Sequence, residues 1–357
     1  MSELDSKMIY QELDKSNMAL LIEHFSDQVT KAWEIASSTD LSRLPKKPRQ
    51  VLFLGMGGSG IVGSLACALA EGESKTPLAF RRGYSVPAYI AKDTLVVAVS
   101  YSGNTRETLH AYQAAVKAGS PLVVLTGGGK LAELAEKNKQ PIITIPAGQP
   151  PRASLGYLFL PLLKILDILG ICHITDGNIS SLVAAIREMW AELGPEQPEK
   201  RNGAKSLARQ LLGKVPLIYG SQGIMGVCAE RWCGQMQENS KTLAFYNIFP
   251  ELCHNQVMGW MDRACLGERI VLVSLTDGEE NPWLQMQIEI TLTLAEERGA
   301  TVVEIGASGK NRLEKAIKAI YLGDLVSLYL AMLNRVDPTE IDNINRLKDA
   351  MALVEKD

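Results

Sequence analysis

The sequence predicts an α/β protein of two tandem domains, each a parallel sheet flanked by helices. Three observations carry that expectation. Short apolar runs alternate with helical segments, the pattern of parallel strands joined by crossover helices. Glycine-rich loops stand directly between such runs and the helices that follow. The same opening, a strand, a Gly-Ser loop and a helix, occurs on both sides of a proline- and charge-rich segment, so the second half reads as a degenerate copy of the first.

The elements follow in order. Residues 11 to 36 carry Met18, Leu21, Ile22 and Phe25 at mostly helical spacing. Pro45 and Pro48 break that pattern before a strand at Gln50 to Leu54. The loop Gly55-Met56-Gly57-Gly58-Ser59-Gly60 leads into a helix through Ala70. Strands are expected at Thr94 to Val99, Leu122 to Leu125 and Ile142 to Ile145, with a helix around Leu131 to Glu136. The most apolar stretch, Leu155 to Ile171, contains Pro161, Lys164 and Asp167 and reads as a buried helix, short for a membrane span. Glu192 to Lys200 combines prolines, a glycine and charge, which sets the expected division: a first domain over 1–185, a connection over 186–203 and a second domain over 204–357. Beyond it, Val215 to Tyr219 is a strand leading through Gly220-Ser221-Gln222-Gly223 into a helix. Arg269 to Ser274 and Thr301 to Ile305 are further strands around a helix at Trp283 to Glu297. Pro338 suits the first turn of a last helix.

Composition narrows the function. The chain has 357 residues, 46% hydrophobic and 22% charged, as in an ordinary globular protein. Its net charge of −3 argues against a nucleic-acid partner. The polar, acidic opening MSELDSKMIYQELDK is not a signal peptide. A cytosolic protein without membrane attachment is expected, with its six cysteines reduced. Cys228-x-x-x-x-Cys233 is not a zinc spacing, and neither metal nor nucleotide is expected.

Two loops of the first domain point to a ligand. Gly57-Gly58-Ser59-Gly60 and Ser100-Tyr101-Ser102-Gly103-Asn104-Thr105 each join a strand to a helix, so both lie at the carboxyl edge of a parallel sheet, where ligands bind. Glycines let the backbone approach an anion, first-turn amides and the helix dipole favour negative charge, and hydroxyls add donors. A phosphate monoester fits. Gly55-x-Gly57-x-x-Gly60 also matches the dinucleotide fingerprint, but the place of the ribose-binding acid reads Leu78-Ala79-Phe80-Arg81-Arg82, without an acid.

Gly-Gly-Ser after the first strand with Ser-x-Ser-Gly-x-Thr after a later one resembles the sugar isomerase (SIS) domain, and two in tandem resemble the phosphoglucose isomerase superfamily. Pro151-Arg152-Ala153, Glu238-Asn239 and His254-Asn255 are similar to motifs of the bifunctional phosphoglucose/phosphomannose isomerases, and Ile341-Asp342 with Leu347-Lys348 resembles their C-terminal lysine helix. The resemblance runs from about residue 15 to the end. It implies two SIS-type domains and an aldose–ketose isomerase acting on glucose 6-phosphate and mannose 6-phosphate through a cis-enediol. It also implies a homodimer, because the histidine is commonly contributed by the neighbouring subunit.

The implied roles suit the chemistry. Glu238 is the base that moves the carbon-bound proton, its pKa expected to be raised by partial burial near a phosphate dianion. His254 opens the sugar ring, as a group that titrates near neutrality. Arg152 stabilises the negative charge that develops on the enediol. Lys348 assists ring opening, with Lys310, Lys315 and Lys318 as alternatives, since the chain between His254 and Lys348 is long for the family. Gly57, Gly58, Ser59, Ser100, Ser102 and Thr105 hold the phosphate. The second domain's loop lacks a hydroxyl-rich partner, so phosphate is expected only in the first. The alternative reading is a non-catalytic SIS sensor of a sugar phosphate. Such sensors usually carry a DNA-binding segment, and no helix-turn-helix precedes residue 50.

Overall fold

The computed structural model describes residues 2–261 and 266–354, so Cys265 and the last three residues of the expected second domain lie outside it. The N-terminal helical spacing resolves into α1 (Lys7–Leu13), α2 (Met18–Glu23) and α3 (Phe25–Ser38) rather than one segment. Buried Asp14 makes the break. Its carboxylate accepts the amides of Met18 and Ala19 at 2.6 and 2.8 Å, satisfying donors that a helix start leaves open.

The first sheet follows: β1 (Gln50–Leu54), α4 (Gly57–Ala70), β2 (Leu78–Arg81), β3 (Thr94–Ser100), α5 (Arg106–Lys117), β4 (Leu122–Thr126), α6 (Gly129–Lys137) and β5 (Ile142–Thr144). Its strands are parallel in the order β2-β1-β3-β4-β5. Then come α7 (Leu155–Ile168), α8 (Asp176–Leu193) and α9 (Gly203–Leu211). The second sheet comprises β6 (Val215–Ser221), α10 (Ile224–Glu238), β7 (Phe245–Phe249), β8 (Ile270–Thr276), α11 (Pro282–Glu296) and β9 (Thr301–Gly306). It is parallel in the order β7-β6-β8-β9. α12 (Arg312–Leu333) and α13 (Asp342–Val354) close the described chain.

This is the expected α/β architecture of two parallel sheets flanked by helices. Further details differ from the sequence reading. The edge strands β2 and β7 were not foreseen, being half-exposed rather than continuous apolar runs. Residues 186–193 of the expected connection are the last turns of α8. α12 is a long helix in a region given no element. The last helix begins at Asp342, not Pro338, whose carbonyl is used elsewhere.

Side-chain alternation along the strands splits the core into layers. Leu52, Leu54, Val96, Ala98 and Val124 face α5 and α6. Leu217, Tyr219 and Leu272 face α11. The opposite faces, with Val51, Phe53, Val97 and Val99 from one sheet and Ile218, Val271 and Val273 from the other, share one interior with α3, α4, α7, α10 and α12. A helix enclosed on all sides can be apolar all round. α12 is accordingly long and apolar enough to cross a membrane, yet 89% of that window is buried in the protein. The five cysteines among the described residues are free. Burial pushes the Cys67 and Cys228 thiols up to about 12, and Cys172 and Cys233 to about 11, so none of these four is a thiolate near neutrality.

Lys205 fastens the N-terminal segment to the turn after α8. Its side chain is fully buried. The ammonium donates to the carbonyls of Leu4, Pro195 and Gln197 at 2.8, 2.9 and 2.7 Å and pairs with Asp5 at 3.1 Å. Lys205→Met matches the stem but removes the donor to the Pro195 and Gln197 carbonyls and the charge that faces Asp5, while the Leu4 carbonyl keeps the Tyr10 hydroxyl and Asp5 keeps the Glu199 amide. A loss of about 3 kcal/mol in unfolding free energy is expected, read from urea denaturation against the native chain. An unchanged midpoint would mean that water replaces the ammonium at no cost.

Candidate active site

The first sheet reverses its strand order between β1 and β3, and the loops after those two strands meet at that switch point. Gly57 lies in the left-handed region at φ 52° and opens α4. Thr105 caps α5 without spending its hydroxyl on the cap. Two helix N-termini therefore converge on one place. The amide of Tyr101 donates to Ser59 Oγ at 3.1 Å, tying one loop to the other and leaving the Ser59 hydroxyl proton to be offered. Ser100 Oγ donates to Thr105 Oγ1 at 3.1 Å. Exposed Ser102 accepts the Asn104 amide at 3.2 Å. Gly103, at φ 66°, crosses so close to the chain that a Cβ there would stand 1.7 Å from the Gly128 carbonyl oxygen.

Gly58 connects this anion site to the next element. A Cβ on it would come within 3.1 Å of the Pro151 carbonyl oxygen, so the Pro151–Ala153 turn packs directly on the α4 N-terminus. That turn presents Arg152, whose side chain is 4% exposed. Arg152 Nε donates to Asn239 Oδ1 at 2.6 Å, and Nη2 donates to the carbonyls of Pro338 and Thr339 at 2.6 and 3.1 Å. Nη1 meets Glu238 Oε2 at 3.4 Å. A guanidinium has five N–H donors. One hydrogen on Nη1 therefore has no acceptor among the described residues, and it lies on the nitrogen that touches Glu238. Burial lowers the Arg152 pKa, Glu238 and Asp337 work against that, and Arg231 adds to it.

Glu238 is the last residue of α10, half-exposed, in a cavity of about 130 Å³ shared with Gly57, Gly58, Arg152, Arg231 and Gln235. The carbonyls at this helix end are covered by Lys241, which donates to Glu238 O at 2.8 Å and to Asp337 O at 2.6 Å. Burial, then Arg152, holds the Lys241 pKa down. A second cavity of about 660 Å³ runs from Glu238 and Lys241 to the first turn of α13. Further along α13, the Met351 carbonyl accepts a bond from Arg106, next to Thr105, at 2.7 Å. The helix thus spans from the carboxylate to the phosphate loop, with exposed Lys348 one turn before Met351. The alternatives are engaged elsewhere: Lys310 with Ser181 at 3.2 Å, Lys315 with Glu279 at 2.7 Å and Lys318 with Ser308 at 3.0 Å.

His254 is not brought to this cavity. It ends the short turn Glu251–His254 after β7, exposed and without a partner among the described residues. Sequence reasoning passed over Arg82, Arg231 and Asp324. Arg82 pairs with Glu230 and donates to Ser64 at 2.8 Å on the cavity wall. Asp324 carried a legible signal, a charged residue inside the apolar run of α12.

The second sheet has the matching switch point between β6 and β8. Asn281 caps α11 as Thr105 caps α5, so Thr276–Asn281 occupies the place of Ser100–Thr105. Here Gly278 and Asn281 stand at the places of Ser102 and Thr105, and Asp277, Glu279 and Glu280 make the loop acidic. Glu280 accepts the Ser221 hydroxyl at 2.7 Å and the Asp277 amide at 2.9 Å, so a carboxylate of the chain itself sits where the first loop offers room to an anion. Burial works to raise the Glu280 pKa, but bonds from Ser221 and the amides of Asp277, Glu280 and Gly278 outweigh it and hold it low. A carboxylate with a depressed folded-state pKa contributes its full stability above the ordinary value of 4.5 and loses it as pH falls through the folded value. Glu280→Gln should cost about 1–2 kcal/mol near neutrality, with the gap to the native chain closing on acidification. Denaturant titrations across that range test this, and a gap independent of pH would remove the charge from the account.

Two parallel sheets around a shared helical layer, with one switch point lined by glycines and hydroxyls and a buried Arg152 paired with half-exposed Glu238 beside it, define a protein of the SIS class. The SIS domain family matches residues 46–152, and the bacterial phospho-glucose isomerase C-terminal SIS domain matches residues 200–351. A bifunctional phosphoglucose/phosphomannose isomerase of Caldicellulosiruptor bescii is 40% identical over 326 residues, 91% of this chain and 96% of the relative. One of Aquifex aeolicus is 33% identical over 302 residues, 84% and 90% of the two. The crystal structure of a glucose-6-phosphate isomerase like protein from Thermus thermophilus shares the fold, with a TM-score of 0.64 at 21% identity over 96% of this chain and 99% of that one. The chain belongs to the bifunctional phosphoglucose/phosphomannose isomerase family.

Proposed function

We propose that this protein interconverts glucose 6-phosphate and mannose 6-phosphate with fructose 6-phosphate. The reading rests above all on one cavity that joins Gly57 and Gly58 of the phosphate loop to Arg152 and Glu238. Ser59, Ser100, Ser102 and Thr105, with the amides of Gly57 and Gly58, hold the phosphate and so place the other end of the sugar chain toward Glu238. The carboxylate takes the proton from C2 of the open aldose. The electron pair becomes the C1–C2 double bond while O1 gains a proton. Returning the carbon proton to C1, with loss of the O2 proton, gives the ketose. Negative charge on the enediol oxygens meets the remaining Nη1 hydrogen of Arg152, beside the base. Glucose and mannose differ only at C2, which is planar in the enediol, so both epimers lead to one intermediate. No metal or nucleotide takes part, and the protein acts in the cytosol, apart from membrane and nucleic acid.

His254 opens the ring from the neighbouring subunit of a homodimer, and Lys348 assists. The outward position of His254 supports this. It follows the edge strand β7, which exposes Phe245 and Tyr246, and precedes exposed Met258. Such apolar surface suits a partner copy.

Coupled assays on both aldose phosphates test the reaction, and two variants test the roles. Glu238→Gln should lose activity by a factor of roughly a hundred or more on cyclic and open-chain substrates alike. His254→Ala should slow cyclic substrates while sparing solvent deuterium exchange into an acyclic analogue. If the site is shared, an equal mixture of the two inactive chains, unfolded and refolded together, should recover about a quarter of native activity. Half of the dimers are then hybrids, each with one intact site. No recovery would place His254 in its own subunit's site. Separately, Ser102→Ala should weaken fructose 6-phosphate binding by about 1–2 kcal/mol, and unchanged affinity would remove Ser102 from the phosphate site.

A further inference from the structure

The residues behind Arg152 form a connected set, in which one buried atom, Arg231 Nε, has no partner among the described residues. Arg231, Gln235 and Asn239 stand at intervals of four on α10, one face of that helix, and they meet Asp324 and Ser327 of α12. Arg231 Nη2 donates to both Asp324 carboxylate oxygens at 3.0 and 2.9 Å and to the Arg152 carbonyl at 2.9 Å. Gln235 donates to Asp324 at 2.7 Å. Asn239, fully buried, accepts the Arg152 Nε–H, and its amide donates to Ser327 Oγ at 2.9 Å. Ser327 donates in turn to the Asp324 carbonyl at 2.8 Å, so its oxygen accepts from Asn239 and fixes which end of that side chain faces Arg152.

Such a network is unusual in an interior otherwise filled by aliphatic side chains, and a buried charge pair is no general route to stability. Every branch of it ends on Arg152. Arg231 holds its backbone from one side, and Asn239 holds its Nε from the other. With the carbonyls of Pro338 and Thr339 occupying Nη2, the guanidinium can turn its remaining hydrogen only along Nη1, toward the cavity.

We infer that Asp324 and Ser327 are positioning residues for the isomerisation, acting through Arg231 and Asn239 to aim the Arg152 guanidinium at the enediol oxygens. The inference rests on the proposed role of Arg152 in that reaction. Neither residue touches the phosphate loop, so the network acts on the chemical step and not on substrate capture.

Ser327→Ala and Asp324→Asn test this in the full chain, with folding checked by circular dichroism. A misplaced charge-stabilising group commonly costs about tenfold or more in turnover. The expected result is a fall of that size in kcat for Asp324→Asn and a several-fold fall for Ser327→Ala. KM for fructose 6-phosphate and competitive inhibition by inorganic phosphate should stay at native values. A loosened interior would instead disturb phosphate inhibition along with kcat, and that pattern overturns the positioning role. If Asp324→Asn does not fold, Ser327→Ala, which removes one hydroxyl, carries the test. Glu238→Gln run alongside keeps the two claims apart. Native kcat in Ser327→Ala beside an inactive Glu238→Gln overturns the network's role alone, whereas an active Glu238→Gln overturns the proposed base.

Discussion

The buried guanidinium of Arg152 is the constraint on which the site depends. A charge almost wholly removed from water must find acceptors on every side. It takes them from the end of α10, from the carbonyls before α13 and from Glu238. The turn that carries it rests on Gly58, where a Cβ would press on the Pro151 carbonyl oxygen at 3.1 Å. One residue thus links the Gly57–Gly60 loop of the first sheet, Glu238 of the second half and the connector before the last helix. The two halves share a hydrophobic interior, but it is this polar contact that orients them at the site.

The repeat gives the protein two switch points with different fates. In the first, small and hydroxylated residues leave donors unspent. In the second, Met225 is buried in the first turn of α10, and Glu280 consumes the Ser221 hydroxyl and a loop amide. The same backbone geometry leaves hydroxyls and amides open in one case and forms an internal anchor in the other. The second half brings Glu238, at the far end of α10, to the cavity.

Much of this was legible in the sequence, for identifiable reasons. Buried parallel strands are continuous apolar runs, so β1, β3, β4, β6 and β8 announced themselves. Glycine and hydroxyl residues between strand and helix stand out in any sequence, and both loops that meet at the first switch point were legible. The edge strands β5 and β9 were read as well, but the edge strands Leu78–Arg81 and Phe245–Phe249 were not, because they are partly exposed and carry no such run. Pro338 misled because its fitness for a first helical turn is a local preference. Arg152 needs that carbonyl, which is a demand made from 186 residues away. Arg231 and Asp324 each look like an ordinary charge until the fold brings them together across 93 residues. Local periodicity carries no information about pairings at that range.

The acceptors at 338 and 339 belong to the peptide backbone, and a backbone oxygen is present whatever side chain the residue bears. Mutational drift at these two positions can therefore be broad in residue type while Arg152 remains satisfied. Changes in length are another matter. An insertion or deletion between Leu333 and Asp342 would shift the register of the carbonyls and leave the guanidinium facing the wrong atoms. Identity is free and spacing is not, so a short connector of ordinary appearance is held to a fixed length.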